Sequence, residues 1–199
     1  APHTALGVVR GIEAAVKFKL GRDSLRDVHI AIQGVGHVGL VMSKMLHERG
    51  AKLTVCDLNP AAVEQCVTQY GAAAASVDDI YDVSCDVFAP CALGSSINTQ
   101  TVDRLKCEIV AGSANNQLAH PTMDSVLFKR GILFAPDFLI NAGGLIHVAE
   151  IYDHGDQQRA TQQITNLYDE AIAIFERAQA ENKPTNQIAS LIAEERLNA

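Results

Sequence analysis

The stretch Gly34-Val35-Gly36-His37-Val38-Gly39 stands between an apolar run, Val28-His29-Ile30-Ala31-Ile32-Gln33, and an amphipathic one, Leu40-Val41-Met42-Ser43-Lys44-Met45-Leu46. That order of strand, glycine turn and helix constrains the fold more than any other feature of the chain. A G-x-G-x-x-G string alone is a weak signal because glycine is common, but in this setting each glycine has a physical task. The first turns the chain sharply out of the strand, the second removes a side chain where backbone must approach a diphosphate, and the third lets helix and sheet come close. Amides at the start of the following helix lack intrahelical acceptors. With the positive end of the helix dipole they make an anion site that needs no basic side chain.

The matching acid is expected about 20 residues further on. Lys52-Leu53-Thr54-Val55-Cys56-Asp57 supplies it at the end of the next predicted strand, with Leu58 beside it in the same crevice. A carboxylate there accepts from both hydroxyls of an adenosine ribose and repels a 2'-phosphate, and no arginine follows closely to receive one, so the pattern predicts NAD over NADP. The competing reading, that Asp57 only caps the next helix, is weakened by Asn59 before Pro60, which suits that task.

Elsewhere strands and helices alternate regularly. A leading helix is expected over Thr4 to Leu20, with Thr4 as its N-cap and Gly21 as its stop. Strands are expected at 28–33, 52–56, 86–88, 108–111 and 132–135, and helices at 37–49, 60–70, 101–106 and 122–130. Parallel neighbours need helical crossovers, so this alternation specifies an α/β fold: a doubly wound, mostly parallel Rossmann sheet with helices on both faces. After Asn141 the pattern turns helical, with one helix expected over 156–182 and another capped by Thr185. The expected division is a leading helix (1–20), a Rossmann core (21–150) and C-terminal helices (151–199). In such sheets a ligand lies beyond the carboxyl ends of the strands, where the strand order reverses.

Composition narrows the partners. The 199 residues are 48% hydrophobic and 20% charged, as in a globular chain, and no apolar run approaches a membrane span. A net charge of −7 argues against nucleic acid and favours a small molecule. Five cysteines, odd in number and without C-x-x-C spacing, suit a reduced cytoplasmic setting, and the scattered histidines give no metal-site spacing.

The crevice loops are Ala89-Pro90-Cys91-Ala92-Leu93-Gly94, Gly112-Ser113-Ala114-Asn115-Asn116-Gln117, and Ala135-Pro136-Asp137 running to Asn141-Ala142-Gly143-Gly144. Small residues let backbone approach a flat polar ligand, and carboxamides offer both donors and acceptors. Taken in this order, with Pro2-His3-Thr4-Ala5-Leu6-Gly7-Val8 ahead of them, the loops resemble the cofactor domain of the amino-acid dehydrogenase family that includes glutamate, phenylalanine, valine and leucine dehydrogenases, the leucine type above all.

The resemblance implies that Thr4 holds the nicotinamide carboxamide, that Cys91 and Ala92 line the adenosine side, and that Asn115 sits by the nicotinamide ribose. It also implies that Asn141 places the substrate carboxylate and that Leu145 and Val148 border the substrate side chain. Both are apolar and one helical turn apart, which suits an aliphatic substrate better than glutamate. Each has a plainer rival: Thr4 as a helix cap, Leu145 and Val148 as ordinary core, the asparagines as loop formers, Cys91 as small packing. His37 either touches phosphate or faces solvent.

The family's reaction is reversible oxidative deamination to a 2-oxo acid and ammonia. It needs lysine bases and an aspartate that the resemblance assigns to an N-terminal substrate domain absent from this sequence. None of Lys17, Lys19, Lys44, Lys52, Lys106, Lys129 and Lys183 lies in a glycine-rich loop at the crevice. The expectation is therefore half of an active site: a cofactor domain separated from a complete, homo-oligomeric dehydrogenase, able to bind NAD but not to turn over. The alternative is a stand-alone NAD-binding regulatory module.

Overall fold

The computed structural model describes residues 1–199. In chain order the elements are α1 (Pro2–Leu20), β1 (His29–Gln33), α2 (His37–Glu48), β2 (Lys52–Cys56), α3 (Pro60–Tyr70), β3 (Ala73–Ala74), β4 (Val87–Pro90), β5 (Ile109–Val110), α4 (Met123–Lys129), β6 (Leu133–Phe134), α5 (Asp137–Ile140), α6 (Gly143–His154), α7 (Gln157–Thr165), α8 (Leu167–Glu181) and α9 (Thr185–Leu197). The six strands form one parallel sheet in the order β3-β2-β1-β4-β5-β6. This is the doubly wound Rossmann arrangement, with the reversal of strand order between β1 and β4.

Alternation along β1 divides the core. Ile30 and Ile32 join the cluster that includes Val8, Ile12, Met42 and Leu46, while Ala31 joins Phe88, Val110 and Leu127 on the other face. Both faces are covered, as a parallel sheet requires. Phe175 and Ile188 of α8 and α9 lie in the same cluster as Ile30, so the C-terminal helices share the core of the sheet. No helix is long and apolar enough to cross a membrane.

Several boundaries differ from the sequence expectation. α1 starts at Pro2, whose fixed φ suits a first helical position, and its N-cap Ala1 makes no side-chain cap, so Thr4 is an internal residue and not the cap. The helix expected over 156–182 divides at Asn166, and Arg10 Nε donates to the Thr165 carbonyl at 3.4 Å. Thr185 does not cap α9, because its hydroxyl donates instead to the buried Phe134 carbonyl. The segment 101–106 keeps only a short 3-10 turn, Val102–Arg104. β3 has only alanines and no apolar pattern to announce it. α6 runs through residue 150, so the drawn border between core and C-terminal helices falls inside a helix.

Candidate functional site

The turn from β1 into α2 is built from main chain. Gly34 adopts φ +103, and a Cβ there would lie 2.8 Å from the Ala92 Cβ. A Cβ on Gly39 would lie 2.0 Å from the Gly34 carbonyl oxygen, so α2 sits against the turn as no side chain would allow. Gly36, the N-cap of α2, faces open space, and the first hydrogen bond it accepts comes from Leu40 N at 2.9 Å. The earlier amides of the helix therefore have no intrahelical partner. Val35 is buried and Val38 partly so, and both side chains pack into the core. His37 is exposed at the first turn.

Asp57 closes the other side of this turn. Its Oδ2 accepts from Val35 N at 2.8 Å and its Oδ1 from Asn59 N at 2.8 Å, so the carboxylate is held in place by backbone on both sides. Asn59 does the capping of α3, accepting from Ala61 N at 3.0 Å. Each Asp57 oxygen keeps a further lone pair for a ligand hydroxyl.

Beside Asp57 opens a cleft of about 600 Å³ lined by Gly34, Asp57, Leu58, Ala92 and Leu93, among others. Leu58 is 87% exposed and Leu93 83%, so the two put apolar surface on the cleft wall. Residues that sequence reasoning missed also line it: Gln33, Val77, Tyr81, Ser95, Ser96 and Asn98. Gln33 was findable, since it ends β1 directly before Gly34. Its Nε2 donates to Tyr81 Oη at 2.7 Å, while its Oε1 and the Ser96 hydroxyl are buried without partners. No lysine lines this cleft.

Cys91 departs from its expected place. Ala92 lines the cleft, but the Cys91 side chain points behind the glycine turn, with Sγ 3.7 Å from Met42 Sδ. Burial pushes its thiol above the ordinary cysteine range, with contacts from Ser113 offsetting part of the rise. It packs the turn, and a thiol held protonated is a poor nucleophile.

The other end of the crevice gathers residues far apart in sequence. Asn141 Nδ2 donates to Asn115 Oδ1 at 2.6 Å. Thr4 belongs to the same corner: its hydroxyl lies where a Cβ on Gly144, at the start of α6, would be 2.8 Å away. His3 stacks on His147 of α6 with ring centroids 3.5 Å apart. Along α6, Leu145 is 75% exposed and Val148 64%, so neither is ordinary core. With Tyr152 they form an apolar strip on one side of the helix.

Comparison with known proteins gives this arrangement relatives. Residues 60–152 match the family described as Glutamate/Leucine/Phenylalanine/Valine dehydrogenase. The chain belongs to this family. It is 47% identical to a leucine dehydrogenase of Geobacillus stearothermophilus, over 98% of this chain and 53% of that protein. It is 41% identical to a phenylalanine dehydrogenase of Thermoactinomyces intermedius, over 98% of this chain and 54% of that protein. The crystal structure of L-tryptophan dehydrogenase from Nostoc punctiforme superposes with a TM-score of 0.95 at 41% identity, over 99% of this chain and 59% of that one. The chain thus spans about half the length of the dehydrogenases it matches.

Proposed function

We propose that this chain is the NAD-binding domain of an amino-acid dehydrogenase that reversibly deaminates branched-chain L-amino acids to 2-oxo acids and ammonia. The observation that carries the reading is the turn that sets the unpaired first-turn amides of α2 against the backbone-held carboxylate of Asp57, which with Gly34, Leu58 and Leu93 lines a cleft. The amides would hold the diphosphate, Asp57 the adenosine ribose, and the exposed leucines with Ala92 the adenine side. Thr4 and Asn115 would hold the nicotinamide half, and Asn141 would place the substrate carboxylate. Bound there, a nicotinamide supplies the hydride acceptor for the α carbon.

Leu145 and Val148 stand exposed beside that corner, and an apolar wall suits an aliphatic side chain. The lysine bases belong to a preceding domain, so the chain alone binds cofactor without turnover, and the whole enzyme is a homo-oligomer. Because the family match spans the loops that carry Ala92, Asn115 and Asn141 together with the Leu145–Val148 segment, it favours an enzyme domain over a regulatory module.

Calorimetric titration with NAD and NADP tests the cofactor assignment. NAD should bind at least about tenfold more tightly, the scale of one unpaired or repelled charge in a partly wet site. Tighter binding of NADP would overturn it. Leucine-dependent NADH formation by this polypeptide alone would refute the assignment of the base to another domain. With that domain restored, glutamate winning over leucine and valine would overturn the pocket reading.

A further inference from the structure

We propose that Gln117 and Asp137, resting on the cofactor reading above, are positioning residues that set the Asn115–Asn141 pair and with it the nicotinamide end of the cleft. The pair itself is a poor anchor. Its 2.6 Å hydrogen bond joins two side chains at the surface, where water competes for both partners.

What lies beneath it is buried and polar. The Gln117 side chain is fully buried in the loop after β5, and its Nε2 donates to the carbonyls of Gly112 at 3.0 Å and Ala114 at 2.9 Å. The carboxamide thus folds back across the turn that presents Asn115. The amide N of Gln117 donates to Asp137 Oδ2 at 2.8 Å, and Phe138 N donates to Asp137 Oδ1 at 2.8 Å. Asp137 also takes the amide of Asn141 on its own carbonyl at 3.0 Å.

One residue therefore reaches both loops, by its side chain to the loop that carries Asn115 and by its main chain to Asn141. The loop after β4 completes the support, with Ser95 N donating to Asn116 O at 2.7 Å and Ile97 N to Gln117 O at 3.0 Å. The Gln117 donors and the Asp137 oxygens are taken up by backbone groups of the loops, so their effect on a ligand passes through the asparagines those loops carry. Misplacing a binding group by a fraction of an ångström is enough to weaken what it holds.

The two ends of the cofactor give the test its control. ADP-ribose fills only the diphosphate and adenosine half, whereas NAD fills both. In calorimetric titrations of the full chain, Asp137→Ala should weaken NAD about tenfold and leave ADP-ribose within about twofold, the scale expected for orphaned amide donors and a displaced loop. Asp137→Asn keeps one acceptor oxygen and should lose about threefold for NAD, and it carries the test if the alanine variant does not fold. Gln117→Met, similar in volume but without donors, should follow the alanine pattern. Parallel loss of both ligands would reduce the two residues to general structural support and overturn the proposal, as would NAD affinity unchanged in Asp137→Asn and Gln117→Met. A wild-type chain that binds neither ligand would instead remove the cofactor reading and this positioning role together.

Discussion

The two ends of the crevice are built on different plans. The proposed adenosine end draws its polar groups, main-chain amides and one carboxylate, from one continuous piece of chain between Gln33 and Leu58, with side chains of 77–98 adding a wall. The proposed nicotinamide end is assembled from Thr4, Asn115, Asn141 and the first turns of α6, segments brought together only by the fold. A contiguous site is precise because strand, turn and helix geometry position it. An assembled site needs polar ties such as the buried Gln117 and the half-buried Asp137, since side chains from distant loops have no local geometry to align them.

The glycine turn offers the sharpest way to break this comparison. Gly39→Ala forces a Cβ to 2.0 Å from the Gly34 carbonyl, and about 3 kcal/mol of overpacking should lower the melting temperature by roughly 6 to 12 °C. Gly36→Ala meets nothing within 4 Å, so thermal unfolding should barely move while NAD affinity falls at least about tenfold. A Gly36→Ala protein that binds NAD normally would show that the turn shapes the fold and not a ligand site.

Next in size is Asp57→Ala, which orphans the amides of Val35 and Asn59 and removes the ribose ligand. Expected are a loss of about 1 to 3 kcal/mol in denaturant unfolding and a narrowed preference for NAD over NADP. Thr185→Val, far from both ends, removes the hydroxyl that satisfies Phe134 O and should cost about 1 kcal/mol with no change in either ligand.

The smallest effect expected is a pH response at the Thr4 corner. Partial burial, then the neighbouring His147, hold His3 below the ordinary histidine value. The unfolded chain then takes up a proton before the folded one does, so stability is complete above the unfolded value, about 6.5, and falls as the pH drops through the folded one. NMR titration of the His3 ring should show the lowered midpoint, and His147→Ala should raise it.

How much of this was legible in the chain follows from where each signal lies. The strand, turn and helix around Gly34, the acid at Asp57 and the cap at Asn59 could all be read because their causes lie within a few residues of each other. The order of the loops carried the family resemblance, and through it Asn115 and Asn141. Cys91 had two readings in the sequence, lining the cleft or small packing, because a residue just past a strand end faces either way, and the approach of Met42 favours packing. Thr185 carries the sequence mark of a cap, yet a buried carbonyl of β6 claims its hydroxyl.

The amino acids alone determined the alternation of strand and helix, the parallel sheet and the glycine turn behind β1 with its unpaired helix amides, because steric limits and hydrogen-bond needs act over short stretches of chain. Tertiary structure alone decided that Leu145 and Val148 face outward, that Asn141 meets Asn115, and that Gln117 and Asp137 tie their loops together. Those contacts span up to 26 residues, and over such separations side-chain direction follows from packing of whole elements, which no local pattern encodes.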